Sequence, residues 1–256
     1  MSSLKAKHLA RLREQMRRLE KPAVADRPVM EFGEPAIDDE LPGGGLASGC
    51  LHEIVAAPDD AAVYGLAAWL LGRLLGGGGV ALWCGTHRTA RRVIPYGPGL
   101  ARFGLATDRL LFARARSPVE TLWAMEEGLR SGRFAAVLGE GVTPDLTATR
   151  RLQLAAEAGG GTALLLVPPP SQKGWAEKGS SEKGSAKKSR ARLSAATTRW
   201  RVAAHPAARP EMPCWILVLE RCRGGGRGAW TLEWDHEALH LRVAAVLGDR
   251  PLAAAI

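Results

Sequence analysis

Between residues 50 and 167, short apolar runs alternate with longer amphipathic stretches, and this alternation restricts the fold more than any other feature of the chain. The apolar runs predict strands at about 50–55, 79–84, 109–114, 134–138 and 162–167. Between them the spacing predicts helices at about 62–75, 117–131 and 145–158, with a less regular helical stretch from Arg88 to Phe103. Strands that alternate with helices form βαβ units, so a mainly parallel sheet is expected.

The last quarter of the chain has a different period. Strand-like runs at Thr197–Val202, Cys214–Glu220, Ala229–Trp234 and Leu239–Val243 follow one another with only short turns between them. Consecutive strands joined by short turns are antiparallel. The predicted fold class is therefore α/β, with a mainly parallel central sheet flanked by helices and extended by antiparallel C-terminal strands.

The N-terminal segment has the pattern of a basic amphipathic helix. Its apolar positions are Leu4, Leu9, Leu12, Met16 and Leu19, and the opposite face is rich in Lys and Arg. Such a helix either packs on its own domain or docks on a partner or a neighbouring subunit. Because Pro22 and Pro28 follow it, we expect a helix at 1–21, a linker at 22–40, a domain at 41–245 and a tail at 246–256.

A polar stretch at 171–194 interrupts the domain after Pro168. It holds seven Lys and Arg residues against two Glu, in a chain of net charge +9, and we expect the loop 168–194 to be disordered when free. It is either a solvated insertion or a contact for single-stranded DNA, with cations for the phosphates and one ring for stacking. The candidate DNA-binding residues are Lys173, Trp175, Lys178, Lys183, Lys187, Lys188, Arg190 and Arg192.

Several classes of site and location lack a sequence signal. The four cysteines form no CxxC pair, and no His-rich cluster accompanies them, which argues against a metal site and against a disulfide framework. The N-terminus has no apolar signal core, and the longest apolar runs are too short or too Gly-broken to span a bilayer. We therefore expect a cytoplasmic protein without a membrane partner.

The connection between the first predicted strand and the first long helix has the layout of a phosphate-binding loop. In working loops of this kind, glycines approach the phosphates, a Lys contacts them and a Ser or Thr binds Mg²⁺. Residues 56–62 contain none of these types and carry two carboxylates instead. The residues of this degenerate nucleotide loop are Ala57, Pro58, Asp59, Asp60, Ala61 and Ala62.

In this order of elements the chain resembles the RecA-like ATPase core, and in particular the ImuA (SulA/RecA-like) proteins of bacterial damage-inducible mutagenesis. The resemblance covers most of residues 1–245. It is carried by Gly43–Leu46 before the strand at 49–54, by the helix end, turn and strand at 100–112, by the helix at 117–130, and by 134–138 as the Walker B strand.

The resemblance implies catalytic positions that this chain does not retain. The P-loop Lys-Thr pair would fall at Asp60–Ala62, and the catalytic Glu near Cys84–Arg88, where no carboxylate stands. The Walker B Asp would follow Leu138, but Gly139 stands there, and Glu140 comes one position later. Glu140 is interpreted as a solvated loop residue, with a metal contact as the alternative; His87 and Arg88 either line a remnant pocket or are exposed. We therefore expect no catalytic residue, metal or cofactor, because the residues that would position the phosphates, activate water and bind the metal are all missing.

The function implied by the resemblance is non-catalytic. The chain would act as a docking platform in translesion synthesis, with ImuB (an inactive relative of Y-family polymerases), an error-prone DnaE-type polymerase, and RecA or single-stranded DNA, and it would be nucleoid-associated when engaged. The alternatives are a SulA-like cell-division inhibitor and an ATP-dependent RecA-like recombinase.

Overall fold

The computed structural model describes residues 27–57, 61–86, 96–168, 193–207 and 212–247, and of residues 245–247 it describes the backbone alone. Five α-helices lie in this part of the chain: α1 (Pro35–Asp38), α2 (Ala62–Leu74), α3 (Gly97–Ala101), α4 (Pro118–Arg130) and α5 (Leu146–Gly159). A short 3-10 helix (Thr107–Arg109) precedes the fifth strand. The strands are β1 (Val29–Met30), β2 (Leu46–Ala47), β3 (Leu51–Ala56), β4 (Ala81–Thr86), β5 (Leu110–Ala115), β6 (Ala136–Glu140), β7 (Thr162–Val167), β8 (Thr198–His205), β9 (Cys214–Cys222), β10 (Gly228–Asp235) and β11 (His240–Leu247).

Nine of these strands form one sheet in the order β11-β10-β9-β8-β3-β7-β6-β4-β5. From β8 to β5 every neighbouring pair is parallel, whereas β8 to β11 pair antiparallel. The two periods of the sequence therefore correspond to two parts of the same sheet, and the α/β expectation is confirmed. Among the described residues no helix is long and apolar enough to cross a membrane.

Helices cover the two faces of the sheet unequally. α2 packs on β3, β7 and β8 on one face, and α4 and α5 pack on the other. The α2 face carries the larger core, which includes six of the eight tryptophans: Trp69, Trp83, Trp200, Trp215, Trp230 and Trp234. Most of the tryptophans therefore lie in one layer of the fold, where their large rings bury much apolar surface.

Local sequence sets the ends of α4 and α5. The Ser117 hydroxyl accepts a hydrogen bond from the Glu120 backbone N–H, and Pro118 occupies the first turn, where its missing donor has no cost. In the same way the Asp145 carboxylate accepts from the Ala148 N–H at 2.7 Å. Gly160 ends α5 in the left-handed region, at φ 77°. These four residues fix both helices within one residue of their expected limits.

The expected linker at 22–40 is wrong for its second half. β1 pairs with β2, and Met30, Phe32 and Ile37 are buried in the α2-face core. Phe32 lies between Trp69 and Trp200, with ring centroids 5.2 and 5.3 Å away. The linker was expected because Pro22 and Pro28 follow the N-terminal segment, but the apolar positions after Pro28 belong to the domain.

Candidate functional site at the carboxyl edge of the sheet

The parallel strands β3, β4, β6 and β7 end along one edge of the sheet, where α/β proteins bind their ligands. The degenerate nucleotide loop follows β3 at this edge. Its first residue, Ala57, donates its backbone N–H to the Val202 carbonyl at 3.2 Å. Pro58, Asp59 and Asp60 lie outside the described residues, as do His87 and Arg88 after β4.

The first turn of α2 is packed with rings in place of polar side chains. Ala61 stands at the N-cap and offers no side-chain hydrogen bond, and Ala62 is buried. One turn later, a Cβ added at Gly65 would lie 2.7 Å from Trp215 Cζ2 and 3.1 Å from Phe103 Cζ. Gly65 therefore serves a close approach of two aromatic rings to the helix.

A pocket of about 390 Å³ opens beside this turn. Five aromatic residues contribute to its walls, and the remaining lining residues are small or apolar. The complete lining is Ala61, Ala62, Tyr64, Gly65, Trp83, Tyr96, Gly99, Leu100, Phe103, Ala204, Pro213 and Trp215. A volume of this size accommodates a large side chain or a small ligand.

Glu140 is a buried strand residue, which corrects the interpretation of it as a solvated loop residue. It is the last residue of β6 and is 4% exposed. Burial raises the pKa of its carboxyl to about 7, although a hydrogen bond from the Trp83 side chain opposes that shift. Its Oε2 has no hydrogen-bond partner among the described residues. The sequence missed this burial because the strand continues two residues beyond the apolar run.

Two glycines make room around Glu140 and on the opposite side of β6. A Cβ at Gly85 in β4 would lie 2.7 Å from Glu140 Oε1, so the absence of a side chain there lets the carboxyl reach Trp83. On the other face of the sheet, a Cβ at Gly139 would overlap Met125 Sδ. Met125 of α4 therefore fills the space that a Walker B aspartate at position 139 would need.

The described residues of this edge do not suit Mg²⁺-ATP. Phosphates bind where backbone N–H groups and cationic or hydroxyl side chains converge, and the described lining is aromatic and aliphatic instead. A carboxyl binds Mg²⁺ in its charged form, whereas burial raises the pKa of Glu140 and so favours its neutral form. The geometry thus favours an apolar or aromatic contact at a place where related folds hold a nucleotide.

Comparison with curated proteins settles the family. The Caulobacter vibrioides protein named ImuA, from strains NA1000/CB15N and CB 15, is 36% identical to this chain over 242 residues. The match covers 89% of this chain and 93% of the relative. The chain belongs to the ImuA family. No protein-family model matches it.

More distant similarities agree with the fold of an ImuA-family protein. The cell division inhibitor SulA of Edwardsiella piscicida is 39% identical over 71 residues, which are 27% of this chain and 41% of that protein. The crystal structure of the RadB recombinase superposes with a TM-score of 0.55 and 13% identity, covering 84% of this chain and 100% of that one. The RecA-like fold expected from the order of elements is confirmed.

The other sequence-predicted residues of this family member lie outside the described part. This holds for the candidate DNA contacts, Lys173, Trp175, Lys178, Lys183, Lys187, Lys188, Arg190 and Arg192, and for the candidate docking residues, Leu4, Leu9, Leu12, Met16 and Leu19. The point at which the chain returns from the basic stretch is described and firmly held. The Ser194 hydroxyl donates to Glu53 Oε1 at 2.5 Å, and Arg221 donates to the carbonyls of Ser194 and Ala196.

Sequence reasoning missed the aromatic pocket. Tyr64, Trp83, Phe103 and Trp215 come from α2, β4, the turn after α3, and β9, so no local pattern joins them. The high tryptophan content was visible in the sequence. That content gives no indication of which rings surround a cavity and which fill the core.

Proposed function

We propose that this ImuA-family protein is a non-catalytic, RecA-like accessory factor of damage-induced mutagenesis. In this role it would serve as a docking platform for ImuB and an error-prone DnaE-type polymerase during translesion synthesis. Family membership supports the pathway. The single observation that carries the non-catalytic part is the aromatic, largely apolar pocket beside the first turn of α2, where an ATPase needs polar and cationic groups.

The proposal includes loss of ATP binding. Three different requirements are affected. The loop at 56–62 has no Lys, Ser or Thr for the phosphates, and residues 84–88 contain no carboxylate to activate water. At the Walker B place, Met125 fills the space beside Gly139, and Glu140 is buried with a raised pKa. Any one of these changes could be compensated by a neighbouring group. Together they leave the triphosphate, the metal ion and the attacking water without support.

Equilibrium titration with a fluorescent ATP analogue and Mg²⁺ tests this loss. We expect no saturable signal that unlabelled ATP displaces. Displacement matters because the aromatic pocket can hold the fluorophore itself, which ATP would then fail to remove. Micromolar binding that ATP competes away contradicts the proposal.

Partner docking is tested in cells exposed to a DNA-damaging agent. A tagged copy of this chain should co-purify with the ImuB-type protein and the DnaE-type polymerase of the same cells, and the interaction should survive nuclease treatment, because protein contacts carry it. If a division protein co-purifies and ImuB does not, the local similarity to SulA outweighs the family assignment. Recovery of a RecA filament alone would favour the recombinase alternative.

A further inference from the structure

The outer surface of α4 and α5 carries large apolar side chains that no other described element covers. Nine large apolar side chains are exposed in the described part of the chain, and four of them lie on these two helices: Val119, Trp123, Leu146 and Leu154. Val119 and Trp123 are 76% and 58% exposed on α4, and Leu154 is 56% exposed on α5. A single exposed Leu needs no explanation, whereas a group of large apolar side chains on one surface marks a contact.

These side chains belong to one surface, because the two helices pack side by side. The buried carboxylate of Glu126 on α4 forms an ion pair with Arg151 of α5 at 2.6 Å, which ties the helices together. Val119 and Trp123 are four residues apart, so they are neighbours on α4, on the side away from the sheet. We call the four exposed residues and the groove between their helices the α4–α5 surface.

The described chain begins next to this surface. Arg27 donates to the Gly49 carbonyl at 2.7 Å and forms an ion pair with Glu157 of α5 at 3.2 Å. Glu157 comes three residues after Leu154, so the two side chains are neighbours on the surface of α5. Residues 1–26 precede Arg27, and they therefore join the domain at the C-terminal end of α5.

The segment that joins the domain here has an apolar face of matching size. As a helix, residues 4–19 would be about 24 Å long, and α5, with 14 residues, is about 21 Å long. The apolar face of this helix is centred on Leu9, Leu12 and Met16. The connection at 20–26 can span up to about 23 Å, whereas Leu154 lies only one helical turn from the anchor at Glu157.

We propose that residues 4–19 pack as a helix on the α4–α5 surface of their own chain, with Leu9, Leu12 and Met16 against Trp123 and Leu154. This contact removes both apolar faces from water and leaves the Lys and Arg side chains of the helix in solvent. The short connection favours this occupant over a second copy or a partner, because it makes the contact intramolecular and gives the helix a high effective concentration.

The packing has a consequence for any partner. A protein that binds the apolar face of the N-terminal helix, or the α4–α5 surface itself, must first separate the two. The free energy of the intramolecular contact is then subtracted from the affinity for that partner. This inference stands independently of the docking function proposed above, since it concerns two parts of the same chain.

Photo-cross-linking of the full chain tests the contact. Benzoylphenylalanine replaces Trp123 in one protein and Leu154 in another, both at exposed positions that tolerate a large ring. After irradiation, mass spectrometry of the digested protein should show cross-links from both positions to residues 4–19. Phe112 is the matched control, because it is half-exposed but contacts Trp83 of the α2-face core, with ring centroids 5.9 Å apart. Benzoylphenylalanine at 112 should give no cross-link to residues 4–19.

Two double variants of the N-terminal segment identify the face that makes the contact. With the probe at position 154, Leu12→Ser with Met16→Ser should abolish the cross-link, because both changes lie on the apolar face. Lys7→Ser with Arg17→Ser lies on the basic face, introduces the same residue type, and should leave the cross-link in place. Equal loss in both double variants overturns the proposed packing.

The remaining outcomes are equally decisive. Irradiation of a mixture of ¹⁵N-labelled and unlabelled chains shows whether a cross-link joins two molecules. Cross-links of mixed isotope composition place the helix on a second copy and overturn the intramolecular contact. Absence of cross-links to residues 4–19 from both 123 and 154 also overturns it. None of these results alters the co-purification with ImuB, so the two proposals fail separately.

Discussion

At the scale of single residues, Glu140 shows how a shift of one position along a strand changes the surroundings of a carboxyl. The residue stands one position after the Walker B place, and strand alternation therefore turns it to the opposite face from position 139. There it meets Trp83 and Tyr64 in an apolar layer. The carboxyl is therefore buried on the α2 face, while Met125 occupies the space beside Gly139 on the other face.

Replacing this carboxyl should change how stability depends on pH. The folded-state pKa of Glu140 is raised from 4.5 to about 7, so the folded protein holds this proton more tightly than the unfolded chain. Stability should therefore fall as pH rises from about 4.5 to about 7 and then level off, by up to about 3 kcal/mol from this group. Glu140→Gln removes this titration. The free energy of unfolding of the variant, relative to that of the wild type, should therefore be higher at pH 8 than at pH 4.5.

Urea denaturation of both proteins at several pH values measures this difference. The comparison of variant and wild type cancels the titration of all other groups. Parallel stability curves for the two proteins would mean that Glu140 titrates normally, and hence that its carboxyl is hydrated in solution.

At the scale of elements, the order and type of the strands and of the three long helices in the parallel core could be predicted from the sequence, and their limits agree within one or two residues. The helical stretch expected at 88–103 is the exception, because within its described part the helix is confined to Gly97–Ala101. Periodicity and the caps at Ser117, Asp145 and Gly160 are local signals, so they can be read from one stretch of chain. The pocket and the burial of Glu140 depend on rings from four separate elements. Those contacts exist only after the sheet has formed, so no local pattern could reveal them.

The segment at 28–40 illustrates the same limit, and Phe32 is the position that tests it. Phe32 is 3% exposed between Trp69 and Trp200. Phe32→Ala should lower the free energy of unfolding by about 3–5 kcal/mol, as expected for a buried Phe. Phe112→Ala, at a half-exposed position on the edge strand β5, is the same substitution with less burial and should cost clearly less. If denaturant titrations show the same loss of unfolding free energy for both variants, the segment at 28–40 is a linker and not part of the folded domain.

At the scale of the whole molecule, the chain joins a well-packed core to a concentrated positive charge. β7 ends with Val167 beside Val55, whereas β8 begins with Thr198 beside His52, so the described ends of the basic stretch lie toward opposite edges of the sheet. Ser194 and Ala196 are fixed by Glu53 and Arg221 at the returning end. The Lys and Arg residues of the basic stretch can therefore be replaced while this anchor is kept. A change in DNA binding can then be measured without a change in folding.

The charge of this stretch should determine how binding to single-stranded DNA depends on salt. Replacing the six Lys and Arg residues at 178–192 and Lys173 by Gln, at constant chain length, preserves the span between the two sheet edges, which a deletion would shorten. Each phosphate contact that is lost should reduce the slope of log K against log salt concentration by about 0.7. Fluorescence anisotropy with a labelled oligonucleotide between low and moderate salt measures that slope.

A control with Trp175→Ala alone should weaken binding while it leaves the slope intact, because stacking releases no counterions. If the neutral variant keeps the wild-type slope, the basic stretch is a solvated insertion, and any DNA contact of this ImuA-family protein lies on another surface.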